Sequence, residues 1–395
     1  MTGLAMTGLA MTGLAMTTFT SLAICAAVLF SAQTASSQTA EIHGQATGWI
    51  GLGHADRAEA HAGLRYIPDL LLEQKLSETF DANMEISLNA FATSHYAESA
   101  APAYEAQAKP YRGWIRLSTE KFEIRLGLQK INFGSAMFLR PLMWFDRVDP
   151  RDPLQLTDGV YGALARYYFL NNANIWLWGL YGNNDTKGWE AAPTQRKTPE
   201  YGGRIQSPLA SGEIGATYHH RRAIAILPAA NLPIARDGIP EDRFALDGKW
   251  DAGAGIWFEG VLTHQQSDYI PMKFQRQWTL GADYTFDIGN GLYAATEYFR
   301  TDLAEEPLSS GTGAGFSAFS LNYPIGNVDR VSALVYRDWT NRDWYRLLTW
   351  ERTYDNWIFY ILGFWNPRTL RLNYNQAGEN PFAGIGAQIM IVFNH

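Results

Sequence analysis

Apolar side chains recur at every second position along most of this chain, the period of a β-strand whose successive residues face opposite sides of a sheet. The cleanest case is Ala82, Met84, Ile86, Leu88, Ala90 and Ala92, alternating with Asn83, Glu85, Ser87 and Asn89. Tyr111, Ile115 and Leu117 alternate with Arg112, Trp114 and Arg116. Beyond the turn Ser118-Thr119-Glu120-Lys121, Phe122, Ile124, Leu126 and Leu128 alternate with Glu123, Arg125 and Gln129. These two segments predict a tight hairpin. Trp278, Leu280, Ala282, Tyr284 and Phe286 alternate with Gln277, Thr279, Asp283 and Thr285. Near the C-terminus Ala383, Ile385, Ala387, Ile389, Ile391 and Phe393 place Gly384, Gly386 and Gln388 between them. Weaker strands are predicted near 42–52, 62–77, 158–170, 174–183, 200–207, 213–222, 242–250, 254–264, 292–301, 313–322, 328–338, 343–353 and 357–366. The expected total is about eighteen, with sixteen as the alternative.

The connectors alternate in length. Short ones fall near 78–80, 118–121, 171–173, 208–212, 251–253, 287–291, 323–327 and 354–356. Longer, polar or Pro-rich ones fall near 53–61, 94–109, 132–157, 184–199, 223–240, 265–273, 302–312, 339–342 and 367–381. Short turns at one end and longer loops at the other are the habit of an up-and-down barrel, and an even strand count brings both termini to the short-turn end.

Composition narrows the setting. The chain has 395 residues, 14% aromatic and 18% charged, with 14 Trp, 20 Tyr, 36 Gly, a net charge of -7 and a mean hydropathy of -0.20. A spanning helix needs about twenty consecutive apolar residues, and no such run follows the N-terminus. A closed barrel satisfies its backbone between strands and turns only alternate residues to lipid, so modest hydropathy is expected of it. Trp and Tyr then belong at the two membrane interfaces. The expected fold is all-β, a transmembrane antiparallel up-and-down β-barrel. The charge gives no support to nucleic-acid binding.

Residues 1–37 form a separate unit. Residues 1–15 are three copies of Met-Thr-Gly-Leu-Ala, and the apolar stretch from Phe19 to Ala32, followed by Ala35-Ser36-Ser37, is patterned as a secretory signal cleaved before Gln38. The barrel is then residues 38–395. Cys25, the single cysteine, lies inside the apolar stretch. Bulky Ile24 before it departs from a lipoprotein box. A chain starting at Gln38 has no disulfide, thiolate nucleophile or Cys-x-x-Cys-His haem attachment, and no cofactor is expected.

Three features resemble bacterial outer-membrane barrels of the porin kind. The aromatic residue closing the last strand is similar to the signal read by the barrel-assembly machinery. In that family the aromatic is usually terminal, whereas Asn394 and His395 follow Phe393. Arg125-Leu126-Gly127-Leu128-Gln129-Lys130-Ile131-Asn132-Phe133-Gly134 resembles an Arg-x-Gly-x-Gln strand end followed by a Gly-containing loop. That pattern occurs in porin-like families, including alginate-export-type and phosphate-porin-like barrels. The segment 132–157 resembles the third external loop that folds inward and narrows the pore of general porins. The resemblance implies a Gram-negative outer membrane, contact with its lipid, periplasmic termini, and passage of small polar solutes. Porins often trimerise, so a homo-oligomer is compatible with it.

Candidate chemistry concentrates at 132–157, which is too apolar to lie fully in water and too broken by Pro141, Pro150 and Pro153 to pair as strands. Arg140, Asp146, Arg147, Asp149, Arg151 and Asp152 mix both signs within it, and charged rings at a constriction select solutes by sign and size. The same charges suit salt bridges and Asx turns that hold a loop to a wall, and the three aspartates suit Ca²⁺. Arg112, Arg116 and Arg125, with Gln129, occupy the polar face of their strands. They line the passage and bias it towards anions, or form a buried network with Glu85 and Glu123.

Two other functions compete. Trp357 to Trp365 is apolar on both faces, so the barrel is also similar to the sheath around a partner protein such as the multihaem cytochrome of a porin-cytochrome conduit. An outer-membrane hydrolase would need a His paired with Ser or Asp near the rim. His219-His220, His264 with Asp268, and His54 with Asp56 are the candidates, but adjacent strand residues point apart and no Asp-x-His pattern accompanies them. No enzyme and no metal site is expected.

Overall fold

A β-sheet can lie in hydrocarbon only if no backbone N–H or C=O is left at an edge, which requires closure. The computed structural model of the chain is closed in this way. It describes residues 38–98, 100–224, 226–227, 232–233, 237–368 and 382–395. The strands are β1 Gln38–His54, β2 Ala58–Lys75, β3 Asp81–Ala97, β4 Ala103–Ser118, β5 Phe122–Gln129, β6 Val160–Tyr168 and β7 Asn174–Leu180. Next come β8 Glu200–Leu209, β9 Gly212–Ala223, β10 Ile226–Leu227, β11 Leu232–Pro233, β12 Ile239–Asp251, β13 Gly255–Gln265 and β14 Phe274–Phe286. The last are β15 Leu292–Ala304, β16 Thr312–Ile325, β17 Asp329–Asp338, β18 Trp344–Tyr354, β19 Trp357–Trp365 and β20 Ile385–Asn394.

β10 and β11 form their own small hairpin; the other eighteen strands form one antiparallel sheet. Each pairs with its neighbour in sequence, β9 with β12, and β20 returns to β1 in a register running from Gln45↔Asn394 to His54↔Ile385. Gly44 and His395 exchange backbone hydrogen bonds of 2.9 and 3.0 Å, so the two ends meet at one end of the barrel. Ile42, Ile50, Leu52, Leu64, Leu126, Leu177, Ile205, Ile389 and Ile391 are exposed on the outer face. Their alternates, among them Thr47, Arg112, Gln129, Arg204, Thr217, Asp247, Glu259, Thr279, Glu297 and Gln388, are buried. The outer face is therefore apolar and the inner face polar, as lipid on one side and water or packed protein on the other require.

Two connectors expected to be long are short. β1 and β2 run on to His54 and from Ala58, leaving 55–57, and β3 and β4 leave only 98–102 between them instead of 94–109. The first half of β4 presents Ala106 and Ala108 opposite Ala92 and Ala90, a contrast too weak to register as a strand. Pro110 is accommodated because the register of β3 and β4 shifts between Ser87 and Leu88, where a missing N–H costs no ladder bond. The expected repeat and signal segment, 1–37, lies outside the described residues, as do parts of 223–240 and 367–381.

Gly127 sits at the centre of the Arg-x-Gly-x-Gln pattern for a physical reason. Its φ is +121°, and a Cβ there would run into the Gly113 carbonyl and the Trp114 backbone on β4. We expect Gly127→Ala to destabilise the barrel by about 1–3 kcal/mol. Heat-modifiable electrophoretic mobility would report it as a lower unfolding midpoint, and an unchanged midpoint would contradict it.

Candidate functional site at the 130–159 segment and the polar wall

Residues 130–159 join β5 to β6 without helix or strand, so their backbone groups need partners from elsewhere. Those partners are two glutamates of the polar face. Glu297 on β15 accepts the N–H groups of Met137, Phe138 and Leu139 at 2.5, 3.0 and 2.7 Å and that of the Trp257 indole at 3.0 Å. Glu259 on β13 accepts Ala136 N–H at 2.8 Å and Leu142 N–H at 3.1 Å. Between them the Thr279 hydroxyl on β14 donates to the Leu139 carbonyl. The segment thus spans from β5 and β6 to β15, with six strands of the sheet lying between β6 and β15. Both glutamates are fully buried, Glu259 at 0% and Glu297 at 1% exposure, and hydrogen bonds there are strong because water does not compete.

Apolar packing does the rest. Phe138, Leu139, Met143 and Val148 share one cluster with Phe299, Phe316, Leu334, Leu347, Leu362 and Phe364, while Ile131, Phe133, Leu142, Trp144 and Phe145 share another with Leu164, Trp178 and Val261. Each such side chain contributes about 1.5–3 kcal/mol when fully buried. The inner side of Trp357 to Trp365, carried by Tyr360, Leu362 and Phe364, belongs to the first cluster together with Phe138, Leu139 and Phe382, and Phe364 meets Phe382 edge to face at 5.5 Å between ring centres.

The charged residues singled out in the sequence fall into three groups. Arg140 bonds Asp146 at 3.0 Å and the Asn132 amide oxygen at 2.5 Å, and Arg151 grips Asp149 with two side-chain bonds of 2.9 and 2.8 Å. Arg147 donates to the Thr186 carbonyl and hydroxyl, tying the segment to the next long connector. Asp152 accepts Leu154 N–H at 3.0 Å, and burial pushes its carboxyl above the usual range, against the opposing effects of that bond and of nearby Arg65. The three aspartates have separate partners, and no metal-competent group of three forms among the described residues. On the wall, Arg112 lies 3.9 Å over the Tyr111 ring and donates to the Thr157 carbonyl at 3.1 Å, holding the returning end of the segment. Gln129 is fully buried and donates to the Arg125 and Gly162 carbonyls. Arg116 bonds Asn83 at 3.0 Å and lies 3.8 Å from Glu123. Arg125 stacks on Trp114 at 4.5 Å.

A larger buried network was not anticipated. Arg221 and Arg243 share Glu241 at 2.6 Å each and Glu190 at 3.0 and 2.7 Å, and Arg204 takes Asp247 bidentately at 2.6 and 2.8 Å. It anchors 184–199 to β9 and β12. Its signal was available: these are charges on the polar side of predicted strands 200–207, 213–222 and 242–250, in need of partners on one another. The histidine candidates have structural surroundings. His219 is buried against Phe145 and Trp178 and accepts the Trp178 indole N–H, His220 meets Asp242 at 2.8 Å, and His264 stacks on Phe274.

No protein-family model matches the chain, and no curated protein does. Solved structures do. The chain is similar to Pseudomonas aeruginosa OccK5 (OpdH), with a TM-score of 0.54 at 9% identity over 90% of this chain and 97% of the other. It is also similar to OccK7 (OpdD) of the same organism, at 0.53 and 9% over 91% and 99%. An anion-selective porin from Comamonas acidovorans aligns at 0.49 and 12% over 91% and 100%. At such identities the likeness is one of fold alone: a closed antiparallel β-barrel of eighteen strands.

Glu297→Gln leaves one carbonyl oxygen for four donors. We expect the N–H groups of Met137, Phe138 and Leu139 to lose protection, at a cost of roughly 1–3 kcal/mol. Hydrogen exchange on the detergent-solubilised barrel measures it, and protection equal to that of the parent would remove Glu297 as the anchor.

Proposed function

We propose that the chain is an outer-membrane channel for small hydrophilic solutes, with preference for anions. The observation carrying this reading is a closed eighteen-strand barrel with an apolar outer face and a polar inner wall, on which Arg65, Arg112, Arg116 and Arg125 of β2 to β5 stand among Asp69, Glu73, Glu85 and Glu123, while the charges of 130–159 are largely neutralised among themselves. On this reading 130–159 is the third external loop. It folds into the lumen, rests on Glu259 and Glu297, and confines solute to the opposite polar wall. The fully paired Arg140 and Arg151 then shape the passage, and the wall arginines bias it. Short turns and both termini face the periplasm, where the assembly machinery meets β20. The exposed apolar outer face suits lipid.

Reconstitution in planar bilayers tests this. Stepwise conductance is expected, with a reversal potential in a KCl gradient of the sign for anion preference. Absence of steps would refute the channel; cation preference would refute the charge assignment alone. Because the Asp152 carboxyl titrates above the usual aspartate range of about 4, lowering pH removes its negative charge early. Anion preference should therefore rise as pH is lowered, beginning above the usual aspartate range, and Asp152→Asn should lack that part of the rise. The stability sign agrees: ionising a carboxyl whose folded pKa is raised is a cost that disappears as pH falls.

A further inference from the structure

A row of side chains crosses five strands near the end of the barrel opposite the short turns. The ladder places Tyr201 of β8 beside His220 of β9, His220 beside Asp242 of β12, Asp242 beside His264 of β13, and His264 beside Phe274 of β14. The row stands on the outer face. On β12, Asp242 continues the stripe of Leu246 and Phe244, which are 47% and 52% exposed, whereas Glu241 and Arg243 on either side of it are buried. Two residues nearer the short turns the same face carries Phe244 and Leu262, and two further on Leu246 and Trp278. The row therefore lies where an apolar surface gives way to polar groups, the level of lipid headgroups.

Asp242 is a carboxylate held by neutral donors. It accepts the Tyr218 hydroxyl at 2.7 Å, the Gln266 amide at 2.7 Å and the His220 ring at 2.8 Å. An ionised carboxylate only accepts, so the His220 Nδ1 is the donor, and with that imidazole neutral the negative charge stands uncancelled. The nearby guanidinium groups are committed elsewhere, Arg222 to the Asp237 and Gly238 carbonyls at 2.7 and 3.0 Å and Arg276 to Asp302 at 2.6 Å. A carboxylate takes about four hydrogen bonds, and Asp242 has three from these residues. His264 has no hydrogen-bond partner among the described residues; its ring lies on Phe274, 4.4 Å between centres and 8° from parallel. One unmatched negative charge, one free carboxylate lone pair and one free imidazole thus sit side by side among aromatic rings.

We propose that Asp242 and His264 bind the primary ammonium headgroup of a membrane lipid, with Tyr218, His220 and Gln266 holding the carboxylate in place. An ammonium brings three N–H donors and a positive charge, which match a carboxylate lone pair, an imidazole nitrogen and the faces of the surrounding rings. A divalent metal ion would want six or more oxygen ligands, which one carboxylate does not supply, and a phosphate would be repelled by Asp242. The ammonium belongs to a lipid because the apolar rows of Phe244, Leu262, Leu246 and Trp278 continue from the site along the outer face and suit acyl chains. This site requires only that the outer face meet lipid, and it is independent of conduction.

Native mass spectrometry of the detergent-solubilised barrel at pH about 8, above the ordinary imidazole range, tests this with dioleoyl phosphatidylethanolamine, phosphatidylcholine and phosphatidylglycerol. Phosphatidylethanolamine is expected to be retained about tenfold more tightly than the other two, and Asp242→Asn to reduce it to their level. Asn keeps an acceptor oxygen for the Tyr218 hydroxyl, so the unfolding midpoint of Asp242→Asn by heat-modifiable mobility should match the parent's. His264→Phe, which keeps a ring against Phe274 and removes the acceptor, should weaken phosphatidylethanolamine alone by roughly fivefold, and it decides the matter if Asp242→Asn does not fold. Equal retention of the three lipids, or undiminished phosphatidylethanolamine in a folded Asp242→Asn or in His264→Phe, overturns the site. Phosphatidylcholine bound as tightly as phosphatidylethanolamine overturns the N–H recognition. Displacement of the lipid by equimolar ethanolamine overturns the lipid assignment, and displacement by equimolar magnesium chloride overturns the ammonium.

Discussion

Everything in this chain depends on the meeting of β1 with β20. A sheet in hydrocarbon has no water to satisfy an edge, so the ten-residue register that joins the last strand to the first converts eighteen marginal strands into one closed sheet. Closure also creates an inside. Once alternate residues are turned away from lipid, Arg, Glu, Asp and Gln become tolerable on every strand, and each must then find water or another side chain. The inner chemistry follows from the closure.

The inside is asymmetric. From β15 to β20 the inner face carries an apolar cluster, Phe299, Phe316, Leu334, Leu347, Leu362 and Phe364, shared with Phe138, Leu139, Met143 and Val148 of the chain's own segment. From β8 to β13 it is ionic but internally paired, as in Arg204 with Asp247 and Arg221 with Glu241. Along β4 and β5, Arg125 stacks on Trp114 with no carboxylate in salt-bridge range among the described residues. Buried pairs of the first kind are costly to break and contribute little net stability, but they hold connectors in one arrangement. A buried cation without a partner does the opposite: it is a standing cost to the fold.

The fold was legible because lipid enforces a strict two-residue period, and Met84, Ile86 and Leu88 or Ile385, Ile389 and Ile391 carry it plainly. It blurred where alanine faced outward, as at Ala106 and Ala108, since a small side chain gives little contrast in either direction. The unusual character of 132–157 was also legible, from apolar residues broken by prolines. Its anchors were not. Glu259 and Glu297 lie more than a hundred residues from the N–H groups they accept, and no local pattern links Met137 to Glu297. Local spacing finds Arg151 beside Asp149; only register finds Arg116 opposite Arg125.

That distinction bears on the sheath reading. A barrel built around a separate protein would need its greasy inner strand left open for the partner. Instead Tyr360, Leu362 and Phe364 share one buried cluster with Phe138, Leu139 and Phe382, and the 136–142 stretch is fixed by two buried carboxylates rather than by apolar contact alone. Apolar packing is tolerant of sliding, whereas five backbone N–H groups aimed at four carboxylate oxygens define one position. An interior so specified from within holds the 130–159 segment in one position against the inner face.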